Sequence, residues 1–236
     1  MTFDEVLQNY PILNKYTCNA PQFIKDNFFI KKYPPKSIIH QKHDVIDYFG
    51  IVLDGTHRVV NEFENGNIFL IEKNKAISFI GEVTLLAERK ESSVTIESIT
   101  KCTIFYISSH HFKKWIQQDA NFLCLLSGSI ANKLYSSSYS RGERQYYSVS
   151  YIVMKYLVDE TKNGIQKGKY EVIIKKTRQE ICEEVGLTVK TFNRTIANLR
   201  EKELVNIVKG KISISPINYK DLQIAISKHH GSVRPT

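Results

Sequence analysis

From Phe28 to Ile107 the chain alternates short apolar runs with turn residues, and beyond them the apolar positions recur at helical spacing. Ahead of that stretch, residues 3–9 predict a short helix interrupted by Pro11, and residues 21–26 predict a second. The runs Ser37–His40, Tyr48–Leu53, His57–Phe63, Ile68–Glu72, Ala76–Ile80, Ser93–Ile99 and Cys102–Ile107 are rich in β-branched and aromatic residues. Pro34-Pro35, Asp54-Gly55 and Asn65-Gly66 punctuate them. Asn65-Gly66 between two such runs predicts a hairpin on a type I′ turn, whose two central residues both need positive φ. Short strands at a spacing of about 8–12 residues predict a small antiparallel barrel or sandwich.

The period then changes. His110–Gln118 reads as a short helix, and Asp119 opens a longer one through Phe122, Leu123, Leu126, Ile130 and Leu134. Positions 123, 126, 130 and 134 alternate steps of three and four, the spacing of a coiled-coil seam. The same stripe also suits a helix that packs on the strand-rich part. Arg141-Gly142-Glu143-Arg144 is polar and glycine-bearing, and predicts a boundary before a helix from about Ser148 to Thr161.

The stretch from Thr177 to Glu203 carries the most specific pattern. Thr177 and Glu180 form a capping box that starts a helix, with Ile181 and Val185 on its buried face. Gly186 ends that helix in the left-handed conformation that glycine adopts without a Cβ clash. Thr188 caps a second helix, whose positions Phe192, Ile196 and Leu199 face inward while Lys190, Asn193 and Arg194 face out. Two short helices, a tight turn and a polar outer face on the second describe a helix-turn-helix with a recognition helix over 188–201. Leu204–Val208 and Lys211–Ile214 bracket Lys209-Gly210, which predicts a two-stranded wing with a basic tip, and Tyr170–Ile174 adds a strand.

Charge sharpens this picture. Residues 1–140 carry 15 Lys and Arg against 14 Asp and Glu, whereas residues 141–236 carry 18 against 10. The surplus sits with the helix-turn-helix, as a polyanion-binding part requires. Cys18, Cys102, Cys124 and Cys182 include no paired-ligand spacing, so they read as reduced structural thiols. No apolar run reaches the roughly 18 residues of a membrane span, and the acidic start is unlike a secretory signal. The expected location is the cytoplasm.

In this order the parts resemble the Crp/Fnr family of bacterial transcription factors: β-roll sensor, dimer helix, winged helix-turn-helix. Two stretches carry the resemblance. Thr177-Arg178-Gln179-Glu180-Ile181, Val185-Gly186 and Thr191-Phe192-Asn193-Arg194 are similar to the family's T-R-Q-E-I, V-G and T-V-x-R signature. Phe79-Ile80-Gly81-Glu82-Val83 through Ser92-Ser93 resembles the phosphate-binding cassette of cyclic-nucleotide rolls. The resemblance implies an effector pocket at Gly81, Glu82, Arg89, Ser92 and Ser93, with Glu82 at the ribose-hydroxyl position. It departs where such cassettes hold a phosphate with arginine, because Ser92 stands there. Losing that two-pronged contact costs about 2–4 kcal/mol, which argues against cyclic AMP as the effector. An iron–sulfur cluster lacks its thiolates, and His40, His43 and His57 read as ordinary surface or core histidines rather than haem or metal ligands.

The resemblance further implies base contacts from Val189, Lys190, Asn193 and Arg194, with Arg194 on guanine. Backbone contacts fall to Arg178, Gln179, Thr188 and Thr191, and the wing tip adds Lys209. A dimer interface falls on Leu123, Leu126, Ile130 and Leu134. The expected architecture is α+β: an antiparallel β-roll of jelly-roll type (1–118), a long dimerisation helix with hinge (119–144) and a winged helix-turn-helix (145–236). The expected function is sequence-specific transcriptional regulation by a homodimer on a near-palindromic site, with double-stranded DNA and RNA polymerase as partners. No catalytic residue, metal ligand or cofactor is expected, and the effector is unidentified. The alternatives are a cyclic-nucleotide-dependent regulator with a non-standard phosphate contact, a roll-based metal enzyme, and a protein-interaction module.

Overall fold

The strand-rich stretch folds into two facing four-stranded sheets. A computed structural model describes residues 1–229. Strands β1 (Phe28–Tyr33), β2 (Ile38–His40), β3 (Tyr48–Asp54), β4 (Thr56–Glu62), β5 (Ile68–Lys75), β6 (Ser78–Ile80), β7 (Thr95–Ser98) and β8 (Cys102–Ser108) pair antiparallel in the orders β1-β8-β3-β6 and β2-β7-β4-β5. Strand β8 is buried on both faces, which is why Cys102–Ile107 reads as an unbroken apolar run. Ile104 and Tyr106 meet Tyr33, Val52, Ile80 and Ile96 in one cluster. Phe105 and Ile107 join Phe49, Ile51 and Phe79 in a larger one.

That larger cluster also takes residues from α1 (Phe3–Asn9), α2 (Asn14–Thr17), α3 (Gln22–Asp26), α4 (Glu82–Leu86), α5 (Ser109–Gln118) and α6 (Ala120–Tyr146). Trp115 stacks on Phe122 with ring centroids 3.7 Å apart. Its Nε1 donates to Asp119 Oδ2 at 3.0 Å, while Asp119 Oδ1 accepts the Phe122 amide at 2.9 Å and caps the start of α6.

Two local expectations are corrected. Asn65 does not take positive φ; Gly66 alone does (φ 76°). The Phe63 amide bonds to the Asn67 carbonyl and the Gly66 amide to that of Phe63, so a type I turn followed by a left-handed glycine closes β4 to β5. The two-residue turn with both φ values positive occurs instead at Lys209-Gly210 (φ 47° and 77°). Finally, α6 runs through Ser136-Ser137-Ser138 and Arg141–Arg144 to Tyr146. Serine and a lone glycine each weaken a helix by about 1 kcal/mol or less and do not stop it.

The chain divides into two units at Tyr135/Ser136, inside α6. In the second unit α7 (Val149–Gln166), α8 (Arg178–Val185), α9 (Val189–Glu201) and α10 (Pro216–His229) enclose a small sheet of order β10-β11-β9, made by β9 (Val172–Ile173), β10 (Asn206–Val208) and β11 (Lys211–Ile214). Val153, Leu157, Ile181, Phe192, Ile196, Leu199, Ile212 and Leu222 are among its core residues. Helix α10 was not foreseen from the sequence pattern.

Candidate nucleic-acid interface and the interior of the roll

Each helix of the helix-turn-helix is started by a capping side chain. Thr177 Oγ1 accepts the Glu180 amide at 3.1 Å, and Glu180 Oε2 accepts the Thr177 amide at 2.6 Å. Gly186 (φ 69°) closes α8, its amide donating to the Cys182 carbonyl at 2.8 Å. Thr188 then caps α9, accepting the Thr191 amide at 3.2 Å. With Phe192, Ile196 and Leu199 buried, Lys190, Asn193 and Arg194 stand exposed together on the outer face, and Ala197 continues that face. Val189 is the exception among the expected base-reading residues. It is half-buried and packs against the core, because position N1 of the helix lies over the turn.

Of the expected backbone contacts, Gln179, Thr188 and Lys209 are exposed and Thr191 is half-buried. Arg178 is half-buried, its guanidinium 5.5 Å from the centroid of the Phe192 ring. Burial pulls its pKa down, and its Nη1 is a buried donor without a partner. Not all the basic surplus is available to a polyanion. Lys176 Nζ lies 2.6 Å from Glu160 and 2.8 Å from Glu184, and Tyr156 donates to Glu184 at 2.7 Å, which braces α7 against α8. Sequence reading missed this brace, since its partners come from separate elements.

The cassette of the roll has a different character. Gly81 (φ 84°) turns the chain into α4, and Glu82 is buried. Lys133 Nζ donates to Glu82 Oε1 at 3.1 Å and lies 3.4 Å from Glu72 Oε2, which also accepts from Asn74 at 2.8 Å. Burial pulls the Lys133 pKa down, but the two carboxylates outweigh it and the net shift is upward. Ser92 is buried and fully engaged: its Oγ donates to the Val94 carbonyl at 2.7 Å and pairs with His40 Nε2 at 3.1 Å. Arg89 and Ser93 are exposed, whereas Gly81, Glu82 and Ser92 are buried. The loop after α4 carries Arg89 outward.

Two histidines lie near this group. His57 on β4 is fully buried with neither ring nitrogen bonded, and burial above all, helped by the Lys133 charge, lowers its pKa to about 4. Burial likewise lowers His40 to about 4 against a smaller opposing effect of Asp44. Among the described residues no three His, Cys, Asp or Glu side chains form a metal-binding group. Lys133 and Glu72 were not anticipated. A signal existed for Lys133, which falls seven residues after Leu126 and so on the same helix face.

That face also revises the expected dimer seam. Leu126 is fully buried and Ile130 packs on the cluster with Phe49 and Trp115, so these two face the roll. Leu123 and Leu134 are exposed, at 36% and 63%. No helix among the described residues is long and apolar enough to cross a membrane.

Residues 30–119 match the family described as the cyclic nucleotide-binding domain. Over 185 residues the chain is 27% identical to the cAMP-activated global transcriptional regulator CRP of Salmonella typhimurium, covering 75% of this chain and 85% of that protein. It is 26% identical over 195 residues to the cAMP-activated global transcriptional regulator Vfr of Pseudomonas aeruginosa, covering 78% and 87%. These relatives are transcriptional regulators, not enzymes. In fold it is similar to a crp/fnr-family transcriptional regulator from Eubacterium rectale (TM-score 0.73, 19% identity, 93% of this chain and 99% of that one). The c-di-GMP-responsive regulator CLP of Xanthomonas campestris shares the fold too (TM-score 0.70, 17% identity, 82% and 96%). With a roll that matches the cyclic nucleotide-binding domain family, followed by a capped helix-turn-helix and a wing, the chain is similar over most of its length to DNA-binding transcriptional regulators of the Crp/Fnr type.

Proposed function

We propose that the protein is a homodimeric regulator that reads a near-palindromic operator through α9, with a roll that does not depend on cyclic AMP. One observation carries the DNA reading: Lys190, Asn193 and Arg194 are exposed together on the outer face of a helix capped by Thr188 and backed by Phe192, Ile196 and Leu199. Arg194 is the guanine-reading residue, a contact that contributes about 1–3 kcal/mol of discrimination. Lys190 has no acceptor, so it selects guanine or a phosphate, and Asn193 suits an adenine edge. Arg178, Gln179, Thr188, Thr191 and Lys209 hold the sugar-phosphate backbone.

Dimerisation uses the outer face of α6, where Leu123, Leu134, Tyr135 and Tyr139 leave large apolar side chains exposed. Two-fold symmetry then spaces two recognition helices by one turn of duplex, about 34 Å. The reading of the roll rests on Glu82, whose carboxylate already holds Lys133, and on Ser92, which has no cationic group to offer a phosphate. The relatives' own effectors differ in kind, cAMP for CRP and c-di-GMP for CLP, so the fold alone does not choose one.

Selection from a random duplex library with as-purified protein and no added effector tests this reading. The expected product is a palindrome with half-sites one turn apart, and Arg194→Ala should lose the sequence preference but keep weak, salt-sensitive binding. Unchanged preference in that variant removes α9 from the groove. Calorimetry with millimolar cyclic AMP should give no heat of binding, and micromolar affinity would restore the cyclic-nucleotide-dependent reading, which the retained Glu82 favours.

A further inference from the structure

The roll carries a concavity away from the ion group on its cassette. A pocket of about 390 Å³ opens beside β1 and the segment 41–47, and neither Glu72, Glu82, Ser92 nor Lys133 lines it. That volume lies within the range of small-molecule sites. Its apolar wall is aromatic. Phe29 and Tyr106 stack at 5.3 Å, and Tyr48 meets Phe29 edge-on at 5.2 Å. A Cβ at Gly50 would come within 2.8 Å of Tyr106 Cε1, so the glycine lets that ring lie across β3. Phe29 and Tyr48 remain 41% and 49% exposed at the mouth, an unusual cost for two aromatic rings on one rim.

The segment 44–47 adds Asp44 and Asp47 to the lining together with Val45 and Ile46, and its backbone is tied down. The His43 amide donates to the Ser92 carbonyl at 2.8 Å, the Ser92 amide to that of Asp44 at 2.9 Å, and the Ile46 amide to that of Lys90 at 3.0 Å. Asp44 and Asp47 line this side, and the Asp47 carboxylate has no hydrogen-bond or ion-pair partner among the described residues. Lys31 is the one cationic side chain in the lining, and its Nζ already lies 4.8 Å from the centroid of the Tyr33 ring. His40, the other titratable nitrogen base, is neutral at physiological pH. Aromatic faces and two carboxylates together favour a positive guest with a hydrocarbon body.

We propose that this pocket binds a small organic cation of the arylalkylamine class, its ring on Phe29, Tyr48 and Tyr106 and its ammonium against Asp44 and Asp47. The wall is hydrogen-bonded directly to cassette residues Lys90 and Ser92, so occupancy is mechanically joined to the cassette. The site stands apart from the DNA-binding reading, and its test needs no operator.

The test is ligand-observed NMR and calorimetry on the full chain with phenethylamine, using phenylacetate, which has the same ring and the opposite charge, as the control. Phenethylamine should bind with a dissociation constant of about 1 mM or tighter. Phenylacetate should bind at least tenfold more weakly. The double variant Asp44→Asn/Asp47→Asn should weaken amine binding at least tenfold, since the amide at 44 can still accept the Gln41 amide that Asp44 Oδ2 holds at 2.7 Å. Tyr48→Ala should weaken it similarly, and unchanged Trp115 emission reports that the roll is intact in each variant. No binding at millimolar amine, equal binding of phenylacetate, or full affinity in the asparagine variant would each overturn the proposal.

Discussion

The two units put their candidate sites in opposite places. In the winged helix the candidate contact residues Lys190, Asn193, Arg194 and Lys209 stand in water, while Glu183 and Ser213 are buried away from them. In the roll a charged carboxylate, a serine and an imidazole lie buried at Glu82, Ser92 and His57. An outward site is built by a helix that anchors on one face and offers the other, so its cost is low. An inward site has to satisfy its polar groups within the protein or leave them costly, and the roll does some of each. Lys133 answers Glu82, whereas His57 has no partner.

The sharpest test of the outward site removes its anchor. Phe192→Ala should destabilise the second unit by about 3–5 kcal/mol, the range for deleting a buried aromatic ring. It also removes the ring beneath Arg178. Hydrogen exchange of amides in 181–199 measures the loss. Trp115, the single tryptophan, lies in the first unit and reports the roll separately during denaturation. Its transition should stay in place, and an equal shift there would show the contrast between the units to be one of composition only.

The inward site should answer to pH next. A histidine lowered from 6.5 to about 4 is neutral in the folded roll while the unfolded chain takes up a proton. Stability held above pH 6.5 is therefore lost as pH falls towards about 4 and is level below that, by about 3 kcal/mol for His57. His40 moves in the same direction. Trp115-monitored denaturation at pH 7 and 4.5 measures the drop. His57→Leu should shrink it and, at pH 7, be at least as stable as the parent, because two unbonded buried nitrogens disappear. A large loss at pH 7 would mean that His57 makes a bond essential to the roll.

Lys133→Met comes third, at about 2 kcal/mol. The figure lies between those for buried and surface pairs because the Lys133 side chain keeps a quarter of its exposure. Adding Glu82→Gln should recover most of it, since the cost lies in the buried carboxylate left alone. If the double variant is no better, Lys133 acts through its packing rather than its charge.

How much of this was legible in the sequence follows the same division. The capping box at Thr177, the left-handed Gly186 and the stripe at 192, 196 and 199 are local patterns, and each is found where its residues predict. The strand runs were equally legible, though β1 and α4 were not singled out. What the pattern did not reveal was contact between distant elements. Lys133, Glu72 and Glu82 come from α6, β5 and the start of α4; Lys176 ties together two helices; Leu126 was assigned to a partner and serves the roll. Asn65-Gly66 shows the limit even locally, since one extra loop residue lets a type I turn and a single left-handed glycine replace the tighter turn.

The smallest expected effect lies at the wing. Lys209 and Gly210 both have positive φ, so Lys209→Asn keeps a residue that such a turn favours while removing the charge. The fold should be indifferent. Binding should weaken by a similar factor on every duplex, and the slope of log affinity against log salt should become shallower by about one per wing. Arg194→Ala should do the reverse, erasing preference among sequences and sparing more of the salt dependence. Titrations of both variants at several salt concentrations, on operator and random duplex, separate the two roles. If Lys209→Asn changed the preferred sequence instead, the wing would be reading bases, and the outward site would extend beyond one face of α9.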